Sequence, residues 1–271
     1  MPIRHNGDGI DNDKNYIADV WNPFSNTLRR LTSASSFGKG IEHFYPWVHV
    51  APNGQVFLSG SYLNWYYLDT SGTGAWGPIN IQTYNRYYGS SVMYEPGKIL
   101  VLGGGAQPDG SAKGGATAQV IELNPNNQTI AVRRVADMAH QRTHLNATLM
   151  PDGRIFVNGG NEDGLNFNNG TAVYESEIWS PRTETFKPAA EAQCPRTYHS
   201  TALLLLDGTI ITMGGGATGG DDPPTLPSAT RPGGTHRKST SSTPRSTTPP
   251  TCTMRTAAKP PARSSRPRPN G

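Results

Sequence analysis

Short apolar runs broken by glycine, proline and asparagine recur through most of the chain. Four stretches share one grammar: Trp47–Gly60, Ser91–Gly105, Ala147–Gly160 and Arg196–Gly216. Each places an apolar run before a tight turn (Asn53-Gly54, Pro96-Gly97, Asp152-Gly153, Asp207-Gly208), then a second apolar run that stops at glycine. Such a pattern predicts two antiparallel strands joined by a hairpin. The turn glycines Gly54, Gly97, Gly153 and Gly208 are 43, 56 and 55 residues apart, the period of a propeller blade.

A second pattern lies between the hairpins, at Ala18–Leu28, Ala118–Ile130 and Ser176–Phe186: an apolar pair, then Asn-Pro or Ser-Pro, a polar turn and another apolar residue. It predicts the outer two strands of each blade, with the proline step setting the turn. The glycines that end each inner strand have a steric reason, because only a residue without Cβ lets neighbouring backbones approach closely beside a crowded axis. The fold class expected is therefore all-β, a kelch-type β-propeller. Residues 15–31 supply outer strands only, three blades are whole, and 196–216 gives the inner half of another. That is about four blades where closure of a kelch-type ring takes about six or seven, within a general range of about 4–8. An incomplete ring of this kind is expected to be poorly stable alone.

Composition supports strands and turns over long helices: 34% hydrophobic residues with 31 Gly and 23 Pro in 271 residues. The net charge of +4 is unevenly spread. From Ala217 onward there are nine Lys/Arg against Asp221 and Asp222, a net of +7, which leaves −3 for the rest. The alkaline balance thus belongs to a Pro/Ser/Thr/Arg tail, and a basic nucleic-acid-binding surface is not supported. Three segments follow: 1–14 as a disordered or loop N-terminus, 15–216 as the partial propeller, and 217–271 as a low-complexity tail too poor in apolar residues to fold. No stretch has the roughly 20 apolar residues of a membrane span, and no apolar signal core follows Met1. With two cysteines, Cys194 and Cys252, disulfides are not the organising force.

Candidate chemistry centres on Tyr198 and His199 at the entrance of the fourth hairpin. A phenol and an imidazole side by side form a mixed donor set that suits copper, although a packed aromatic beside a polar rim residue has the same sequence. His144 holds nearly the place in its blade that Tyr198 has in the next, with Leu145 where an imidazole would fall, so it is read as a rim residue near the axis. His49, between Val48 and Val50, is read as a hydrogen-bonded packing histidine. Arg142 and Arg196 are expected to tie neighbouring blades through carboxylates or carbonyls. Trp47, Tyr87 and Tyr88 are either core or a sugar-binding rim, and Cys194 is read as a buried or edge thiol. Asn6–Asp13 spaces oxygen ligands like a calcium loop but lacks the downstream glutamate, which favours a polar turn.

The stretch from about Ala18 to Gly220 resembles the galactose oxidase and glyoxal oxidase family of copper-radical oxidases. Arg196-Thr197-Tyr198-His199-Ser200 with the leucines and Asp207-Gly208 that follow, Asn64-Trp65-Tyr66-Tyr67, and Ser91-Val92-Met93-Tyr94 with Pro96-Gly97-Lys98-Ile99-Leu100 carry the likeness. The resemblance implies a seven-bladed propeller with copper on its axis, Tyr198 as axial ligand and proton acceptor, and His199 as equatorial ligand. It also implies a small alcohol, aldehyde or carbohydrate substrate, O2 as oxidant, hydrogen peroxide as product, and an extracellular setting. The family's remaining groups, a tyrosine joined to a cysteine and a second histidine, have no match here, since beyond Gly220 only His236 remains. The chain is therefore expected to be an inactive, incomplete oxidase propeller. The alternative is a non-catalytic kelch-propeller module that binds carbohydrate or protein.

Overall fold

A computed structural model describes residues 15–39, 46–81, 85–106, 113–166, 168–215 and the backbone of 254–257. The described residues form five antiparallel sheets that follow one another in chain order. The first is a pair, β1 (Ile17–Asn22) and β2 (Thr27–Ser35). Three complete four-stranded sheets come next. One holds β3 (Val48–Val50), β4 (Val56–Leu58), β5 (Asn64–Asp69) and β6 (Ala75–Ile81); another β7 (Ser90–Glu95), β8 (Lys98–Leu102), β9 (Ala118–Asn124) and β10 (Thr129–Arg134). The third holds β11 (Thr143–Leu149), β12 (Ile155–Asn161), β13 (Glu175–Ser180) and β14 (Thr185–Glu191). The last sheet has β15 (Ser200–Leu204), β16 (Thr209–Gly214) and β17 (Met254–Ala257). This is the all-β propeller layout that the hairpin grammar predicts.

One element departs from expectation. Met254–Ala257 lies inside the tail expected to be disordered, yet it pairs antiparallel with β16, Arg255 opposite Ile211. Backbone hydrogen bonds to an exposed strand edge need no apolar pattern, which explains how a polar, basic segment joins a sheet. The rest of that tail and the calcium-like loop at Asn6–Asp13 lie outside the described residues.

Each pair of neighbouring sheets shares its own core. Leu31, Ala34, Leu58, Tyr66 and Leu68 fill the space between the first two sheets, and Phe57, Trp65, Tyr67, Ile99, Val101 and Ile121 the next. Tyr94, Leu102, Leu145, Val157 and Trp179 form the third, with Tyr94 edge-on to Trp179 at 5.0 Å, and Met150, Phe156 and Ile210 the fourth. Both faces of an inner sheet are thus apolar, which is why β5 and β8 read as nearly continuous hydrophobic runs. The end sheets differ. Trp21, paired with Leu28, is 58% exposed at one end, and Leu203, paired with Ile211, is 52% exposed at the other.

His49 inverts the usual alternation. Val48 and Val50 face solvent while the imidazole turns inward and shares a 2.7 Å hydrogen bond with Ser91 Oγ of the next sheet. Burial lowers its pKa to about 4, so it packs as a neutral ring, the role read from its position.

Candidate metal and substrate site at the propeller hub

The hub is built three times from one local plan. Ahead of β7, β11 and β15 stand Arg86, Arg142 and Arg196, all buried. Each guanidinium donates to the carbonyl of the first glycine that ends its own blade's second strand: Arg86 to Gly103, Arg142 to Gly159 and Arg196 to Gly214, all at 2.9 Å. Arg142 also donates to Glu177 at 2.9 Å within a fully buried ion pair. Burial lowers the pKa of Arg142, with Glu177 opposing the shift, and burial lowers that of Arg196.

These contacts correct the expectation for the arginines. The side-chain bonds named here tie strand ends within one blade, and the backbone carbonyls of Arg142 and Arg196 tie blades together. Gly104 N donates to Arg142 O at 2.8 Å and Gly160 N to Arg196 O at 2.7 Å. At Gly159 a Cβ would sit 2.3 Å from Arg196 O, so the glycine that ends the strand is sterically required by the next blade.

Nine residues before each turn glycine, one non-glycine residue adopts the left-handed conformation: Tyr88 before Gly97 (φ 58), His144 before Gly153 (φ 58) and His199 before Gly208 (φ 64). Such a residue costs on the order of 1–2 kcal/mol, which is expected where a side chain must be aimed. Counted from the turn, His144 is therefore the counterpart of His199, not of Tyr198, which corrects the reading from sequence. Arginine and turn glycine are 11 residues apart at Arg86–Gly97 and Arg142–Gly153 but 12 apart at Arg196–Gly208. Tyr198 is the added residue, and the 11, 11, 12 spacing is the sequence signal that reveals it.

The four rings from three blades meet. Tyr198 stacks on His199 at 3.8 Å between centroids and meets His144 edge-on at 5.0 Å and Tyr88 at 6.0 Å, while Tyr88 lies 4.3 Å from His144. They line a cavity of about 230 Å³ together with Trp47, Ser61, Asn146 and Ser200. Asn146 Nδ2 donates to Ser200 Oγ at 2.8 Å, joining two blades across its floor. Tyr198 is half-buried and His199 exposed, so an imidazole and a phenol are open to an incoming group. His144 is buried, its pKa lowered to about 4 by that burial, with its contact to Gly164 opposing the shift. Of the rim candidates, Trp47 and Tyr88 reach the cavity, whereas Tyr87 is buried edge-on to Tyr62 at 5.0 Å.

Among the described residues no group of three or more His, Cys, Asp or Glu side chains is placed to hold a metal ion. The donors gathered at the hub are two phenols and two imidazoles. Cys194, read as a thiol, is disulfide-bonded, its partner lying outside the described residues. Among those residues no helix is long and apolar enough to cross a membrane.

Successive antiparallel sheets around a hub of phenol and imidazole groups define a β-propeller protein with a donor-lined axial cavity. Over 216 residues, 72% of the chain, it is 34% identical to galactose oxidase of Gibberella zeae, and over 202 residues 26% identical to aldehyde oxidase GLOX of Vitis pseudoreticulata. Among solved structures it is similar to a fungal alcohol oxidase of the AA5 family in complex with copper, with a TM-score of 0.68 and 31% identity over 74% of this chain and 43% of that one. YjhT, at 14% identity and a TM-score of 0.54 over 74% of this chain and 70% of that one, shares the fold alone. No protein-family model matches. The chain is a homologue of the galactose oxidase and glyoxal oxidase proteins. It spans about a third of the length of the curated relatives it matches, 31% and 37%.

Proposed function

We propose that the chain carries the axial part of a copper-dependent alcohol or aldehyde oxidase site, with Tyr198 and His199 as metal ligands. The observation that supports this reading most directly is the added residue: one blade alone gains Tyr198, and with it a phenol and an imidazole stacked at 3.8 Å against the hub cavity. The donor chemistry fits the metal, because imidazole and phenol oxygen are a mixed borderline and hard set that copper accepts. When bound, copper paired with a tyrosyl radical supplies the capacity to take two electrons from a carbon centre.

The protein's own contribution is placement and proton handling. Tyr198 accepts the hydroxyl proton of a primary alcohol or hydrated aldehyde held in the cavity. Loss of that proton, a second proton and two electrons gives the oxidised carbonyl product, while O2 takes up both to become hydrogen peroxide. Trp47 and Tyr88 offer apolar walls on which a small alcohol, aldehyde or sugar packs, and Ser61, Asn146 and Ser200 offer hydrogen bonds.

Turnover by the chain itself is not part of the proposal. Cys194 is disulfide-bonded, so among the described residues no thiol is available to be joined to a tyrosine as a radical pair. The expected result for the purified chain is Cu(II) binding without substrate-dependent peroxide. Binding that Tyr198→Phe and His199→Asn leave unchanged would overturn the ligand assignment. The kelch-type layout of 15–216 and an extracellular setting belong to the same proposal, on the strength of the homology. A second reading, a carbohydrate-binding propeller without chemistry, is favoured only by the aromatic walls Trp47 and Tyr88. Sugar affinity in the absence of copper, lost in Trp47→Ala, would support it.

A further inference from the structure

We propose that the seam between the sheet β11–β14 and the last sheet binds buried water at Asn158 and Ser176, and that this water is continuous with the hub cavity through Asn146 and Ser200. The inference goes beyond the metal reading and makes no use of it.

Strand register puts these side chains on one face. Asn146 pairs with Asn158 across β11 and β12, and Phe156 with Ile178 and Val157 with Glu177 across β12 and β13, so the next step along those strands sets Asn158 opposite Ser176. Phe156 and Ile178, each two residues away on its strand, pack with Ile210 of the last sheet. Side chains alternate along a strand, so Asn158 and Ser176 lie on that same seam. Asn146, the third member of the row, reaches across it, its Nδ2 donating to Ser200 Oγ at 2.8 Å.

Burial and polarity conflict in this row. Asn158 is 1% exposed and Ser176 fully buried, yet Asn158 Nδ2, Asn158 Oδ1 and Ser176 Oγ have no hydrogen-bond partner among the described residues. Left dry, each would lose its hydration and gain nothing in return. The fold does not impose this. At the same positions of the sheet β7–β10 stand Leu102 and Ala118, paired and buried in the apolar core against β11–β14. One blade earlier, buried Ser59 shares a 2.9 Å hydrogen bond with Ser91 Oγ. The frame therefore accepts an apolar pair or a satisfied hydroxyl there, and the last seam instead carries an open amide and an open hydroxyl side by side. Leucine and asparagine have equally many side-chain heavy atoms, so the two seams differ in polarity rather than in bulk.

Water matches this set. Its oxygen accepts from Asn158 Nδ2 and its hydrogens go to Asn158 Oδ1 and Ser176 Oγ, so a small cluster satisfies all three atoms, as internal waters do for buried polar groups. Asn146 and Ser200 also line the hub cavity, so the row leads from Ser176 through Asn158 to the space that Tyr198 and His199 face.

The test is water-oxygen magnetic relaxation dispersion on the full chain without metal, which counts long-lived internal waters and times their exchange. Asn158→Leu, which recreates the neighbouring apolar seam, is expected to lose about one such water or more relative to the parent. Ser176→Ala removes a single oxygen and serves where the leucine variant does not fold; it is expected to shorten the residence time several-fold. Equal counts and residence times in the parent and both variants would overturn the site. Asn146→Ala removes the bond between the row and the cavity and is expected to speed exchange several-fold; an unchanged exchange rate would overturn the continuity with the hub. Because Cu(II) takes no part in the readout, either failure leaves the Tyr198–His199 reading standing, and failure of that reading leaves this one.

Discussion

The sheet β11–β14 and the sheet β15–β17 begin from the same arginine, turn at the same glycine and close with the same guanidinium-to-carbonyl bond, yet those points are 11 residues apart in one and 12 in the other. Keeping both ends of the segment fixed confines the added residue to the hub. A blade can therefore change what it presents at the axis without altering the frame that holds it. Around that shared bond, Arg142 also faces the buried carboxylate of Glu177 at 2.9 Å, and Arg196 lies 3.5 Å from Thr212 Oγ1.

The largest expected effect comes from the Arg142–Glu177 pair. Glu177→Gln leaves the Arg142 charge buried without its counter-charge and should lower stability by about 3–5 kcal/mol in urea unfolding. An effect below about 1 kcal/mol would mean that the carboxylate adds nothing to the Arg142 anchor. Acid should expose the next effect, at the inter-blade histidine. The folded pKa of His49, about 4, lies below the unfolded value of 6.5, so the unfolded chain binds a proton that the native one refuses. Stability is full above pH 6.5, falls as pH drops toward 4, and changes no further below it through this group. The loss should approach about 3 kcal/mol and shrink in His49→Gln.

Gly159→Ala is expected to cost about 2 kcal/mol or more, since the Cβ meets Arg196 O at 2.3 Å in addition to the strain of φ +68. Gly208→Ala, with no atom nearer than 3.8 Å, carries only the φ strain, about 1 kcal/mol. Equal losses would show that the approach of the next blade is not what fixes the strand-end glycine. Deleting Tyr198, which restores the 11-residue spacing, should change stability least of all, by under about 1 kcal/mol, while weakening Cu(II) binding. A deletion that unfolds the last sheet would break the comparison itself.

The sheets were legible because hairpins write a local signature: alternation, a tight Asp-Gly or Asn-Gly turn, and glycine at the close. The hub was legible only in part. Tyr198 and His199 stood out as adjacent donors, and Trp47 and Tyr88 were already candidates for a rim. His144 matches Tyr198 when counted from the arginine, because the added residue lies between, and only the distance to the turn glycine pairs it with His199. The arginine partners lay beyond reach for another reason, because carbonyl acceptors carry no side-chain identity. Strand β17 likewise has no apolar pattern to announce it, only backbone groups that meet a free edge.

The left-handed residues of the three blades set a limit on how this hub can be varied. At positions 88, 144 and 199 the backbone acts as a filter ahead of any chemistry: valine, isoleucine and threonine, with their branched Cβ, are rejected, while glycine, asparagine, aspartate and unbranched rings pass. A saturation library at these sites would therefore return an alphabet rich in potential ligands before selection for activity had begun.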